Sequence, residues 1–102
     1  MAATDSVFRA LADETRRDIL KMLRDKPRTS GEIADRFDSS WPTISRHLSV
    51  LRDAGLVITE RKGQEIHYEL NTTVFEDVVR HLMGWLKPRT SNGKARPRGQ
   101  EA

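Results

Sequence analysis

The sequence predicts a single α+β domain, mainly helical, with one two-stranded β-hairpin, and three observations carry that expectation. Apolar residues recur every three or four positions through most of residues 6–54 and again through residues 74–86, the spacing of amphipathic helices. Between those stretches the period drops to two, with Ile66, Tyr68 and Leu70 on one side of an alternating run. A length of 102 residues suits one domain with a modest core, for which self-assembly would add stability.

Val7, Phe8 and Leu11 have helical spacing and mark a short helix over residues 6–12. Asp13 is a fresh N-cap, and Ile19, Leu20 and Leu23 then form the apolar stripe of a second helix that runs to residue 25 and stops before Pro27. Thr29-Ser30-Gly31-Glu32 fits a capping box and opens a short third helix with Ile33, Ala34 and Phe37 inward. After Asp38-Ser39-Ser40, a fourth helix over residues 40–54 carries Ile44, Leu48 and Leu51 inside and Pro42 in its first turn. Gly55 suits the position just beyond its end. Two short helices across a tight polar turn make a helix-turn-helix candidate. Residues 56–61 and 66–70 are the strands of the hairpin, joined through Lys62-Gly63-Gln64-Glu65.

A second capping box, Thr73-Val74-Phe75-Glu76, opens a last helix that reaches residue 86. Phe75, Val78, Val79, Leu82 and Leu86 centre one face, with Val74 and Trp85 on one shoulder and Met83 on the other. About half of the circumference is therefore apolar. That is more than contact with one small domain uses. Pro88 stops the helix, and residues 87–102 read as a basic, disordered tail.

Composition narrows the function classes. Hydrophobic residues make up 36% and charged residues 32%, and no stretch is apolar enough to span a bilayer, so a membrane protein is not expected. The opening Met1-Ala2-Ala3-Thr4-Asp5-Ser6 lacks the basic and apolar regions of a signal peptide, and a cytoplasmic location is expected. With no cysteine in the chain, disulfides, thiolate metal sites and thiol catalysis are excluded. The net charge of +3 is unevenly spread: Lys87, Arg89, Lys94, Arg96 and Arg98 against Glu101 give the tail +4, which leaves −1 for residues 1–86. Any nucleic-acid argument must rest on local pattern.

The helix over residues 40–54 supplies one. Its inner stripe leaves Pro42, Thr43, Ser45, Arg46 and Ser49 outward, mostly in the N-terminal half that enters the major groove in helix-turn-helix proteins. Short hydroxyls allow close approach, and an arginine can grip guanine or neutralise phosphate. An ordinary amphipathic surface helix has the same pattern. Arg61 and Lys62 beside Gly63 put cations at the hairpin tip, within reach of phosphate, although Glu60 and Glu65 dilute them.

The order helix, helix, helix-turn-helix, hairpin, helix resembles the arsenic-repressor (ArsR) family of winged-helix regulators. The resemblance spans residues 6–86 and is carried by the run from Phe8 through Asp13-Glu14-Thr15-Arg16-Arg17 to Leu20, by Gly31-Glu32-Ile33-Ala34, by Pro42-Thr43-Ile44-Ser45-Arg46-His47-Leu48 through Leu51-Arg52-Asp53-Ala54-Gly55-Leu56-Val57, and by Lys62-Gly63. The run Leu70-Asn71-Thr72-Thr73-Val74-Phe75 and the absence of cysteine look closest to the metal-independent, SdpR-like autorepressor branch. It implies a winged helix-turn-helix with terminal dimerisation helices, acting as a homodimeric repressor on an inverted-repeat operator in double-stranded DNA. The DNA-contact set is then Ser40, Trp41, Pro42, Thr43, Ser45 and Arg46 with Arg61 and Lys62 of the wing. The dimer set is Val7, Phe8 and Leu11 with Phe75, Val78, Val79, Leu82, Met83, Trp85 and Leu86. Two departures stand out: Glu14 replaces the usual proline, and Trp41 is bulkier than the usual polar residue, either meeting a sugar or thymine methyl or packing on the preceding helix.

Metal sensing, the family's best-known chemistry, finds no ligand set: thiolates would be expected near Thr29 and Gly31, and Asp77 with His81 forms only an i, i+4 pair. No cofactor is expected. Neither is an enzyme, since no phosphate loop, nucleophile elbow or paired-carboxylate pocket is present. A winged-helix protein-interaction module remains the competing reading, favoured by the −1 charge of residues 1–86, and no small-molecule effector is identified.

Overall fold

A computed structural model describes the backbone of residues 2–86 and the side chains of residues 5–86. The expected tail, residues 87–102, lies outside the described residues. The order is α1 (Ala2–Leu11), α2 (Glu14–Asp25), β1 (Arg28–Thr29), α3 (Ser30–Ala34), α4 (Trp41–Asp53), β2 (Val57–Lys62), β3 (Glu65–Leu70) and α5 (Thr72–Leu86). This is the mainly helical α+β architecture that the periodicities predict, with two differences. The first helix begins at Ala2 rather than Ser6, with Asp5 in the first turn where an acid complements the helix dipole. The hairpin gains a third antiparallel strand: β1 pairs Arg28 with Tyr68 and Thr29 with His67, giving the sheet order β1-β3-β2.

Helix boundaries follow from caps. The Asp13 carboxylate accepts from the Arg16 N–H at 3.1 Å and starts α2. The expected capping box at Thr29 and Glu32 is formed, with bonds of 3.1 and 2.9 Å. Gly55, at φ +79°, ends α4 in a Schellman arrangement: its N–H donates to the Arg52 carbonyl at 2.9 Å and that of Leu56 to the Leu51 carbonyl at 3.0 Å. At the wing tip Gly63 adopts φ +64°, the sign required at the first position of the two-residue turns that match strand twist.

The start of α5 corrects the sequence reading. Asn71, not Thr73, sits at the cap: its Oδ1 accepts from the Val74 N–H at 3.4 Å and its carbonyl from the Phe75 N–H at 3.2 Å. The Asn71 amide also donates to the Gly55 carbonyl at 3.0 Å. One side chain thus closes the end of α4 and opens α5.

The core lies between α1, α2, α3, α4 and the inner face of the sheet. Ile19, Ile33, Ile44, Leu48, Leu51 and Leu56 are essentially sealed from water, and no polar residue is buried among those described. Each such aliphatic side chain contributes about 1.5–3 kcal/mol by burial. Helix α5 buries none of its residues. Val74, Phe75 and Val78 lean on the core, while Val79, Met83, Trp85 and Leu86 are 53–74% exposed.

Candidate nucleic-acid interface

Helix α4 is fixed by Ile44, Leu48 and Leu51, exposed 0%, 2% and 0%, so its opposite face has one possible direction. On that face Ser40, Trp41, Pro42, Ser45 and Arg46 are exposed, whereas Thr43 and Ser49, which the stripe also directs outward, are half-buried. The first turn holds no acidic residue, and the Ser40 hydroxyl lies 3.0 Å from that of Thr43 instead of capping a backbone N–H. The positive end of the helix dipole is consequently open toward an approaching anion. Trp41 keeps about half of its surface, 51%, in solvent, which favours the outward alternative for its ring.

Arg16 holds α4 against the first helix, a role that the sequence pattern does not reveal. Its Nε donates to the Ala10 carbonyl at 2.7 Å and one Nη to the Arg9 carbonyl at 3.1 Å, capping the C-terminal end of α1. The other Nη lies 3.2 Å from His47 Nδ1, in the middle of α4. Since arginine only donates, Nδ1 is the acceptor in that contact, which leaves the ring neutral, and the Asp13 carboxylate at 3.8 Å is a neighbour rather than an ion-pair partner. Asp13 is held below the usual carboxylate range by the Arg16 backbone N–H first, with the charge of Arg16 adding to the effect. On an amphipathic helix Arg16 looks like any solvent-facing cation; only the tertiary approach of α1 and α4 gives it partners.

The wing separates its two cations. Along the antiparallel register Glu60 pairs with His67 and Lys62 with Glu65, so Ile58, Glu60 and Lys62 share the outer face with Glu65, His67 and Glu69. Lys62 Nζ is 3.9 Å from Glu60, and His67 Nε2 is 3.6 Å from Glu65. Arg61 points to the opposite face, the one that carries buried Val57 and Tyr68. Exposed and away from the acidic cluster, Arg61 is the better placed of the two for a phosphate on the α4 side.

The residues expected in a dimer contact do not stand alike. Val7 is only 3% exposed and is spent in the intramolecular core, while Phe8, Leu11, Phe75, Val78 and Leu82 are half-buried. Val79, Met83, Trp85 and Leu86 form the open part of the set. Phe8 and Trp85 bring their rings within 5.8 Å, linking α1 to the far end of α5. His81 packs edge-on to Trp85 at 5.4 Å, and Asp77 is paired with Arg80 at 2.8 Å. Among the described residues no group of three or more acidic or histidine side chains is arranged to hold a metal, and no helix is long and apolar enough to cross a membrane.

Comparison with known proteins agrees with this geometry. Residues 13–59 match the family described as bacterial regulatory protein, arsR family. The chain is 43% identical over 82 residues to the transcriptional repressor SdpR of Bacillus subtilis, covering 80% of this chain and 91% of that protein. It is 39% identical to the arsenic resistance transcriptional regulator ArsR1 of Pseudomonas putida, covering 80% and 70% respectively. The crystal structure of an ArsR family transcriptional regulator superposes with a TM-score of 0.78 at 30% identity, covering 83% of this chain and 88% of that one.

Proposed function

The chain belongs to the ArsR family of bacterial regulatory proteins, a family of transcriptional regulators rather than enzymes, and on that premise we propose how it represses. Two copies join through α1 and α5 and place two α4 helices in successive major grooves of an inverted-repeat operator. The observation that carries this reading is the face of α4: exposed Ser40, Trp41, Pro42, Ser45 and Arg46 with half-buried Thr43 among them, free of carboxylates in the first turn, on a helix locked by three fully packed side chains. Thr43, Ser45 and Arg46 are the base readers, Trp41 meets a sugar or thymine methyl, and Arg61 with Lys62 positions the wing on the backbone. The apolar side chains exposed along α5 support the dimer, since a monomer would leave them as a contiguous sticky stripe. The acidic outer face of the wing, with Glu60, Glu65 and Glu69, favours a second reading, in which the domain docks a basic protein instead of DNA.

Footprinting on the DNA upstream of the protein's own gene separates the two. A repressor protects a two-fold symmetric site; binding falls steeply with salt as counterions are released, and Arg46→Ala relaxes the preference at one symmetric pair of bases at a cost of about 1–3 kcal/mol. Leu82→Glu, measured by light scattering, halves the mass and abolishes the symmetric footprint. Equal affinity for that DNA and for random duplex at every salt concentration would leave the protein-docking reading standing.

A further inference from the structure

A groove of about 350 Å³ lies between the end of α1, the outer side of α2 and the junction of β3 with α5. Leu11, Leu20, Leu70 and Phe75 make its floor, and Arg17, Lys21 and Arg24 make its rim. The three cations fall at i, i+4 and i+7, along one side of α2, and no carboxylate lines the groove. Arg17 is braced over it by a 2.8 Å bond to the Leu11 carbonyl. Lys21 has only a loose 3.8 Å contact with exposed Asp18. Arg24 is exposed, and no hydrogen bond or ion pair engages it among the described residues.

An apolar floor with cations on one side is complementary to an amphipathic anion: a hydrocarbon tail covers the leucines and phenylalanine, and a carboxylate is gripped by the guanidinium and ammonium groups. The volume is near the lower end of small-molecule sites, about 300–1,000 Å³, which suits a medium-length chain rather than a nucleotide or large cofactor. The chain's own C-terminal segment, with five cations against one anion, is a poor occupant for this rim. We propose that the groove binds a medium-chain monocarboxylate and that its occupancy weakens operator binding, because two of its floor residues, Leu11 at the end of α1 and Phe75 in the first turn of α5, belong to the set assigned to dimer contact. The regulatory part rests on the repressor reading; the binding part does not.

Decanoate, below its micelle concentration, is the probe. Titrated calorimetrically into the full chain it should saturate at one molecule per protomer, and the double variant Lys21→Glu, Arg24→Glu should bind about tenfold or more weakly, while unfolding at the wild-type temperature. Decanol, with the same tail and no charge, should bind as weakly to the wild type as decanoate does to the variant. Operator affinity should fall on adding decanoate and remain unchanged in the double variant. Binding of decanoate without any operator binding would retain the site and sink the repressor reading instead. No saturable binding, equal binding by the double variant, or binding that appears only in the Leu82→Glu monomer would overturn the proposal, the last by showing that a second copy fills the groove.

Discussion

Replacing Arg16 by alanine tests whether α1 and α4 form one rigid unit. The change removes bonds of 2.7 and 3.1 Å to the last carbonyls of α1 and the 3.2 Å contact with His47. Hydrogen bonds from a charged donor are worth about 1.5–3 kcal/mol each, but the Arg9 bond is exposed and that carbonyl keeps its 3.2 Å bond from the Ala12 N–H, so the Ala10 bond carries most of the loss. A total loss of about 2–3 kcal/mol follows, or roughly 10–20 °C in Tm for a domain of this size. Urea and thermal unfolding at one fixed protomer concentration measure it, since dimerisation makes Tm concentration-dependent. Arg16→Lys keeps the charge without the planar fork and should recover less than half of the loss. His47→Ala removes only the third contact, and a double-mutant cycle of the two should give a coupling of about 0.5–1.5 kcal/mol. Both single variants should also weaken operator binding at constant salt. An Arg16→Ala protein as stable as wild type would refute the contacts; one that is destabilised yet binds operator with unchanged affinity would refute the orienting role.

The charge of Asp13 should be visible in acid. Because the folded protein holds its pKa below the unfolded value, its contribution is complete above that value and disappears as pH falls through the folded pKa. Wild type should therefore lose stability between about pH 5 and pH 2 more steeply than Asp13→Asn, which keeps a capping oxygen but has no charge to lose; parallel urea midpoints across that range would contradict the assignment. In the wing, Arg61→Ala should weaken operator and random duplex together and lower the salt slope by about one, whereas Lys62→Ala should do less because Glu60 already offsets that charge. Anisotropy titrations at several salt concentrations decide it, and an equal or larger effect of Lys62→Ala would reverse the roles.

Elements whose signals are local were legible in the sequence. The stripe of Ile44, Leu48 and Leu51 dictated both the span of α4 and its outward face, and Gly55 and Gly63, the glycines at the end of α4 and in the wing turn, take positive φ. What escaped depends on partners distant in sequence. Two residues, Arg28 and Thr29, have no periodicity to detect and become a strand only because Tyr68 and His67 offer an edge. Asn71, Thr72 and Thr73 are all acceptable cap residues, and the choice fell to the one whose amide also reaches Gly55. Val7 shares helical spacing with Phe8 and Leu11, yet spacing alone does not say which apolar residue of α1 faces its own core and which is left for another chain.

These long-range contacts bear on how a dimer would read DNA. Helix α1 is tied to the middle of α4 through Arg16 and His47, and α5 is tied to its end through Asn71 and the Gly55 carbonyl. Both helices assigned to the dimer contact are thus joined to the reading helix by hydrogen bonds rather than by a free linker. In a symmetric pair, the separation of the two α4 helices would then follow from how α1 and α5 pack across the two-fold axis. Contacts in successive major grooves require that separation to match one turn of the duplex, about 34 Å. A ligand wedged beside Leu11 and Phe75 has no need to touch α4 to spoil the match: shifting the start of α5 against α1 changes the spacing while leaving every base-reading side chain in place.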